Sequence, residues 1–335
     1  MMLNRFRKFY IIISIVAILI IAVLTYFGFL MYKDSASETG PKGFFLLTLK
    51  PMIKDAVSGV YMHSLSDNKL RYFGDPDAVN ITGHGLRDGI AVTASRIIDP
   101  SGIENKGVFQ IYQIDMKDYF KKTQVTNSDT SFKRHPELSP DGTKIAFMAR
   151  ENLDEDKSFF SPDGWSIYIT DLNGNERRIG KGVYPQWGPD SNQLVALRSD
   201  GLHLYNFEKR ESKRIWNMEN GKASLNMMID ISRDGSKLAW SVSNDNQIIL
   251  MNISSWEPFT AEIYKTIDNI FAFWPIFAPE VDYMAVIAGD ETEDNVENLH
   301  LEVYDLETFE SYNALDLSSF SETSMALTDW GYEFK

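Results

Sequence analysis

From residue 44 onward the chain alternates short apolar runs with turn residues. Four of these units align closely. In each, a Pro-Asp-Gly-like turn leads into a β-prone run. Residues 135–142 lead into Thr143–Met148, 184–190 into Gln193–Leu197, 228–235 into Ser236–Trp240, and 274–280 into Tyr283–Ile287. The shared acidic positions are Asp141, Asp190, Asp234 and Glu280, spaced 49, 44 and 46 residues apart. Pro presets φ, Asp can bond its own backbone, and Gly accepts positive φ, so each turn predicts a hairpin. A second apolar strand follows, at 166–172, 202–207, 247–252 and 301–306, and then a more polar one. Four strands in about 40–50 residues is the size of a propeller blade.

A fainter copy runs through Leu86–Gly89, Ile90–Ala94 and Val108–Ile114. Met325–Gly331 is similar to the inner strand at 184–188, and Phe44–Leu49 and Gly59–His63 suit the strands that would follow it. The pattern therefore predicts six blades, one of them closed by strands from both ends of the repeat region. Such closure pairs two exposed strand edges.

The first forty residues follow a different pattern. Tyr10–Met31 is a run of 22 residues without a charge, preceded by Arg5, Arg7 and Lys8. At about 1.5 Å per residue a helix of this length spans a hydrocarbon core. The run is longer than a cleaved signal peptide's apolar segment of about 7–15 residues. We therefore expect a basic cytoplasmic tail at 1–9, a transmembrane signal-anchor helix at 10–32, a polar linker at 33–43 and a propeller at 44–335. The flanking cations place the N-terminus in the cytoplasm and the propeller outside it, at a cell membrane.

The repeat resembles the TolB-type propeller. Ser139-Pro140-Asp141-Gly142 with Ile145-Ala146-Phe147 carries the resemblance, the copy at Asp190 has lost its Gly, and the copy at Glu280 reads Pro-Glu-Val-Asp. The resemblance implies an all-β, six-bladed propeller. It says little of function, because such propellers serve as docking modules, scaffolds and enzyme caps.

Charge and chemistry narrow the choice. The net charge is −14, which disfavours phosphate backbones and hence nucleic acid. There is no cysteine, which removes disulfides, thiolate zinc sites and cysteine nucleophiles. No His-Glu-x-x-His, Gly-x-Ser-x-Gly or phosphate-binding Gly-rich motif occurs, so no metal site or cofactor is signalled. Of the five histidines, only His84 and His135, in neighbouring blades, suggest a metal-dependent lyase or hydrolase.

Two candidate binding regions remain. Loops at 50–58, 95–107, 150–164 and 288–299 are long and fall on one face, where binding usually sits. Two are acidic, with Asp154, Glu155 and Asp156 in one and Asp290, Glu291, Glu293 and Asp294 in the other. A solvated charge run and a site for a basic partner or cation are both open. His135, Tyr184, Met228 and Trp274 begin the inner strands and should meet near the channel mouth, plugging it or stacking on a ligand. The expected function is a membrane-tethered, non-catalytic scaffold with a protein partner on the long-loop face. A ligand or glycan sensor is the alternative.

Overall fold

The computed structural model describes residues 41, 43–49, 59–74, 78–82, 89–98, 104–115, 121–128, 132–150, 162–218, 227–242, 246–268, 270–291, 296–320 and 326–331. The predicted tail and membrane span, residues 1–32, lie outside these, as does the linker up to residue 40. Among the described residues no helix is long and apolar enough to cross a membrane.

The described strands form six four-stranded antiparallel sheets. Blade 1 contains β1 (Phe44–Leu49), β2 (Gly59–Ser64) and β3 (Lys69–Gly74), and blade 2 contains β4 (Ala78–Thr82), β5 (Ile90–Ile98), β6 (Glu104–Asp115) and β7 (Lys121–Gln124). Blade 3 is β8 (Phe132–Leu138), β9 (Lys144–Arg150), β10 (Ser166–Asp171) and β11 (Glu176–Lys181). Blade 4 is β12 (Val183–Trp187), β13 (Gln193–Arg198), β14 (Gly201–Asn206) and β15 (Glu211–Asn217). Blade 5 is β16 (Ile229–Ile231), β17 (Lys237–Val242), β18 (Gln247–Trp256) and β19 (Phe259–Asp268). Blade 6 is β20 (Phe271–Phe277), β21 (Tyr283–Glu291), β22 (Val296–Asp305) and β23 (Ser311–Asp316). The last strand, β24 (Ala326–Gly331), pairs with β1 and supplies the inner edge of blade 1. The six-bladed ring closes as the repeat pattern predicts.

The repeated turns explain the hairpins. In blade 3 the Ser139 hydroxyl donates to Asp141 Oδ1 at 2.6 Å, the Lys144 N–H donates to Ser139 Oγ at 2.9 Å, and Gly142 takes φ +69°. Blade 5 repeats this with Ser232, Asp234, Lys237 and Gly235 at φ +72°. Where the Gly is lost the turn persists, with Ser191 at φ 59° and Val281 at φ 65°. A β-branched residue is strained there, so the flanking strands dictate the turn and Val281 bears the cost.

The core lies between blades. One cluster joins blades 3 to 5 through Trp165, Trp187, Leu197, Leu204, Ile229 and Trp240. Another joins blade 6 to blade 1 through Phe45, Leu47, Ile287 and Leu301. The outer strands β11 and β15 are mostly polar and exposed, which suits outer edges.

Candidate functional site

The inner strands β24, β4, β8, β12, β16 and β20 each sit at one end of their sheet. Three of them carry an X-Pro pair in mid-strand. Proline has no N–H to give to the ladder, so in a sheet it marks an edge or a bulge. Here it does both. The register skips between Arg134 and Glu137 in β8, between Val183 and Gln186 in β12, and between Phe273 and Ile276 in β20. The residue before each proline is left-handed: His135 at φ 46°, Tyr184 at φ 51° and Trp274 at φ 54°. Three bulky non-glycine residues in this region are uncommon, and such strain gathers at functional places.

The fourth predicted residue behaves differently. Met228 precedes β16 rather than sitting in a bulge, because Ile229 replaces the proline and keeps its N–H for the ladder. The Met228 N–H donates to Ser241 Oγ at 3.0 Å, and its carbonyl accepts from the Ser241 N–H at 2.9 Å.

Of the four side chains, one adjacent pair is in direct ring contact. The rings of His135 and Tyr184 meet edge to face at 4.6 Å. Tyr184 and Met228 belong to one buried cluster, and Trp274 packs against it and against the cluster of blades 6 and 1. Tyr184 is 6% exposed and Met228 8%, so these two are fillers of the inner ring more than walls of an open pocket. Burial, with the charge of Arg134 adding to it, pushes the His135 pKa down to about 3. Burial also raises the Tyr184 phenol, so both rings are neutral near pH 7.

On the long-loop face the structure corrects one expectation. Residues 95–107 and 288–299 are not loops throughout. β5 runs to Ile98 and pairs it with Glu104, and β21 runs on to pair Asp290 with Glu297 and Glu291 with Val296. In both segments the arms pair again past a register shift, and the residues joining them, 99–103 and 292–295, lie outside the described residues. Asp290 and Glu297 are exposed and directly opposite, a like-charge pair that costs free energy. Asn298 Nδ2 donates to Asp290 Oδ2 at 2.6 Å. Glu293, Asp294, Asp154, Glu155 and Asp156 lie outside the described residues.

The described histidines sit in separate environments. His63 is buried against Phe45, and His203 Nε2 donates a hydrogen bond to Asp200 Oδ1 at 2.8 Å. His300 Nδ1 donates to the Asn298 carbonyl oxygen at 2.8 Å, and His84 lies outside the described residues. Among the described residues no group of three His, Asp or Glu is arranged for a metal. Sequence reasoning missed two features. One is Arg134, which neighbours His135. The other is a groove of about 360 Å³ between blades 3 and 4, lined by Arg177, Arg178, Arg210, Tyr205 and Phe207. The Arg-Arg and Lys-Arg pairs on β11 and before β15 were its signal.

No protein-family model matches the sequence, and no curated protein does. Solved structures with the same fold do match. A protein assigned as TolB from Agrobacterium tumefaciens aligns with a TM-score of 0.56 at 13% identity, covering 88% of this chain and 95% of that one. TolB from Acinetobacter baumannii aligns with a TM-score of 0.59 at 17% identity, over 87% and 67% of the two chains. An oligogalacturonate lyase in complex with manganese aligns with a TM-score of 0.54 at 11% identity, over 78% and 72%. At these identities the similarity is one of fold. The chain is a six-bladed β-propeller similar to TolB-type propellers, and enzymes share that architecture.

Proposed function

We propose that this chain is a membrane-tethered, extracytoplasmic propeller that acts as a non-catalytic interaction or scaffold module of a cell-envelope complex. The tether is the apolar segment 10–32. The partner engages the face that carries the long arms of blades 2 and 6. The observation that carries this reading is the exposed Asp290–Glu297 pair on the long arms of blade 6. Two carboxylates held opposite one another repel in the isolated molecule, and a basic partner would relieve that repulsion. Burial of Tyr184 and Met228 supports a rim site over a deep axial pocket.

The test is a mild-detergent pull-down of full-length protein from its native membrane beside a variant with residues 288–299 shortened. A stoichiometric protein lost in the variant supports the reading. No co-purifying protein in either sample sinks it.

A ligand-sensing reading is favoured by one observation, the strained backbone at His135, Tyr184 and Trp274. Its first check is whether these positions respond to small molecules.

A further inference from the structure

Arg134 lies in β8 beside the bulge at His135. Its Nε is shut off from solvent and has no hydrogen-bond partner. Its guanidinium carbon stands 4.7 Å from the centre of the Phe132 ring. Phe132 is itself held in place by Phe109 at 4.6 Å and Trp165 at 5.9 Å. No described carboxylate pairs with Arg134, and the charged or titratable groups beside it are His135 and Tyr184. The residue is nevertheless only partly buried, so part of it still reaches the surface. A guanidinium cannot shed its proton to escape burial. A partly desolvated cation with no counter-ion among the described residues costs free energy, and an incoming anion removes that cost.

We propose that Arg134 is a receptor for a single carboxylate, bound at the inner-strand seam between blades 3 and 4. The charge balance selects a monoanion: one guanidinium faces two neutral rings, so a phosphate dianion would leave net negative charge in a half-buried site. The planar fork of Arg matches the two carboxylate oxygens. The Phe132 ring under the guanidinium and the adjoining His135 ring favour a carboxylate borne on a flat or apolar group. Two sources share this chemistry, a free small acid and the C-terminal carboxylate of a partner chain.

The test titrates full-length protein with benzoate at constant ionic strength, with benzamide as the uncharged shape match, and reads thermal unfolding and heat of binding. Benzoate is expected to bind saturably and raise the unfolding midpoint, and benzamide is not. Arg134→Met should weaken benzoate by about tenfold or more, with Arg134→Lys between. Arg134→Met should also fold with a raised midpoint, since it removes an uncompensated charge. Competition by a short peptide ending in a free phenylalanine carboxylate, but not by its amidated twin, assigns the source to a partner's terminus. Benzoate binding without competition from either peptide assigns it to a free small acid. Equal responses to benzoate and benzamide, or undiminished benzoate binding in both variants, overturns the proposal.

Discussion

Lys133 and Arg134 are neighbours on one strand, yet they meet opposite fates in adjacent seams. Lys133 faces blade 2 and is fully buried. Its Nζ donates to Gln110 Oε1 at 3.1 Å, the Ser128 carbonyl at 3.1 Å and Ser128 Oγ at 2.9 Å. Gln110 is in turn bonded by Thr126, and Ser128 Oγ reaches Glu176 at 3.0 Å. Every basic hydrogen on that side has an acceptor in place. Arg134 stacks on Phe132 of its own strand and neighbours the neutral phenol of Tyr184 in blade 4. A satisfied buried network fixes one arrangement of two blades; an unsatisfied cation leaves a seam ready for something else. The first seam holds a fully satisfied polar tie, and the second holds a cation whose Nε has no described partner.

The comparison breaks most sharply at Lys133. Lys133→Met removes three charge-assisted hydrogen bonds from the seam between blades 2 and 3 and should cost about 3 kcal/mol in urea unfolding. A loss below about 1 kcal/mol would mean the network is not holding the blades. One hydrogen bond across the other seam runs from Trp187 Nε1 to the Glu137 carbonyl, at 2.9 Å. Trp187→Phe removes it and leaves a small void, for a loss of about 2 kcal/mol by the same measurement. A change remote from both seams sets the scale: Val281→Gly relieves the left-handed turn of blade 6 and should gain about 1 kcal/mol.

Acid supplies the mildest probe. His135 is neutral in the folded chain, with its pKa moved from 6.5 to about 3. Between those values the unfolded chain takes up a proton that the folded chain refuses. Its contribution is therefore complete above pH 6.5 and declines as pH falls through that window toward 3. His135→Asn should flatten the stability profile between pH 6.5 and 3 relative to the parent. Identical acid profiles would show that the ring is not shielded. His63, also lowered by burial, contributes with the same sign and is unaffected by that substitution.

Much of the fold was legible in the chain. The spacing of Asp141, Asp190, Asp234 and Glu280 marked blades because the turn and its following strand are local physics. The pairing of β24 with β1 was legible because residues 325–331 repeat the inner-strand pattern and 44–49 lack an inner partner. The candidate site was legible only in outline. His135, Tyr184 and Trp274 stand out in the repeat, but their bulges do not, even though a proline in mid-strand was the available signal. The paired arms of residues 288–299 were hidden because a polar hairpin and a polar loop have similar composition.

What the sequence determined by itself is the architecture: turn chemistry and strand period repeat within each unit, and repeated units stack. The tertiary structure decided which face of β8 each basic residue meets. That choice depends on residues far away in the chain, Gln110 and Ser128 on one side and Tyr184 on the other. Adjacent side chains on a strand point to opposite faces, so only the packing of whole blades could make Lys133 a structural tie and leave Arg134 with no described carboxylate partner.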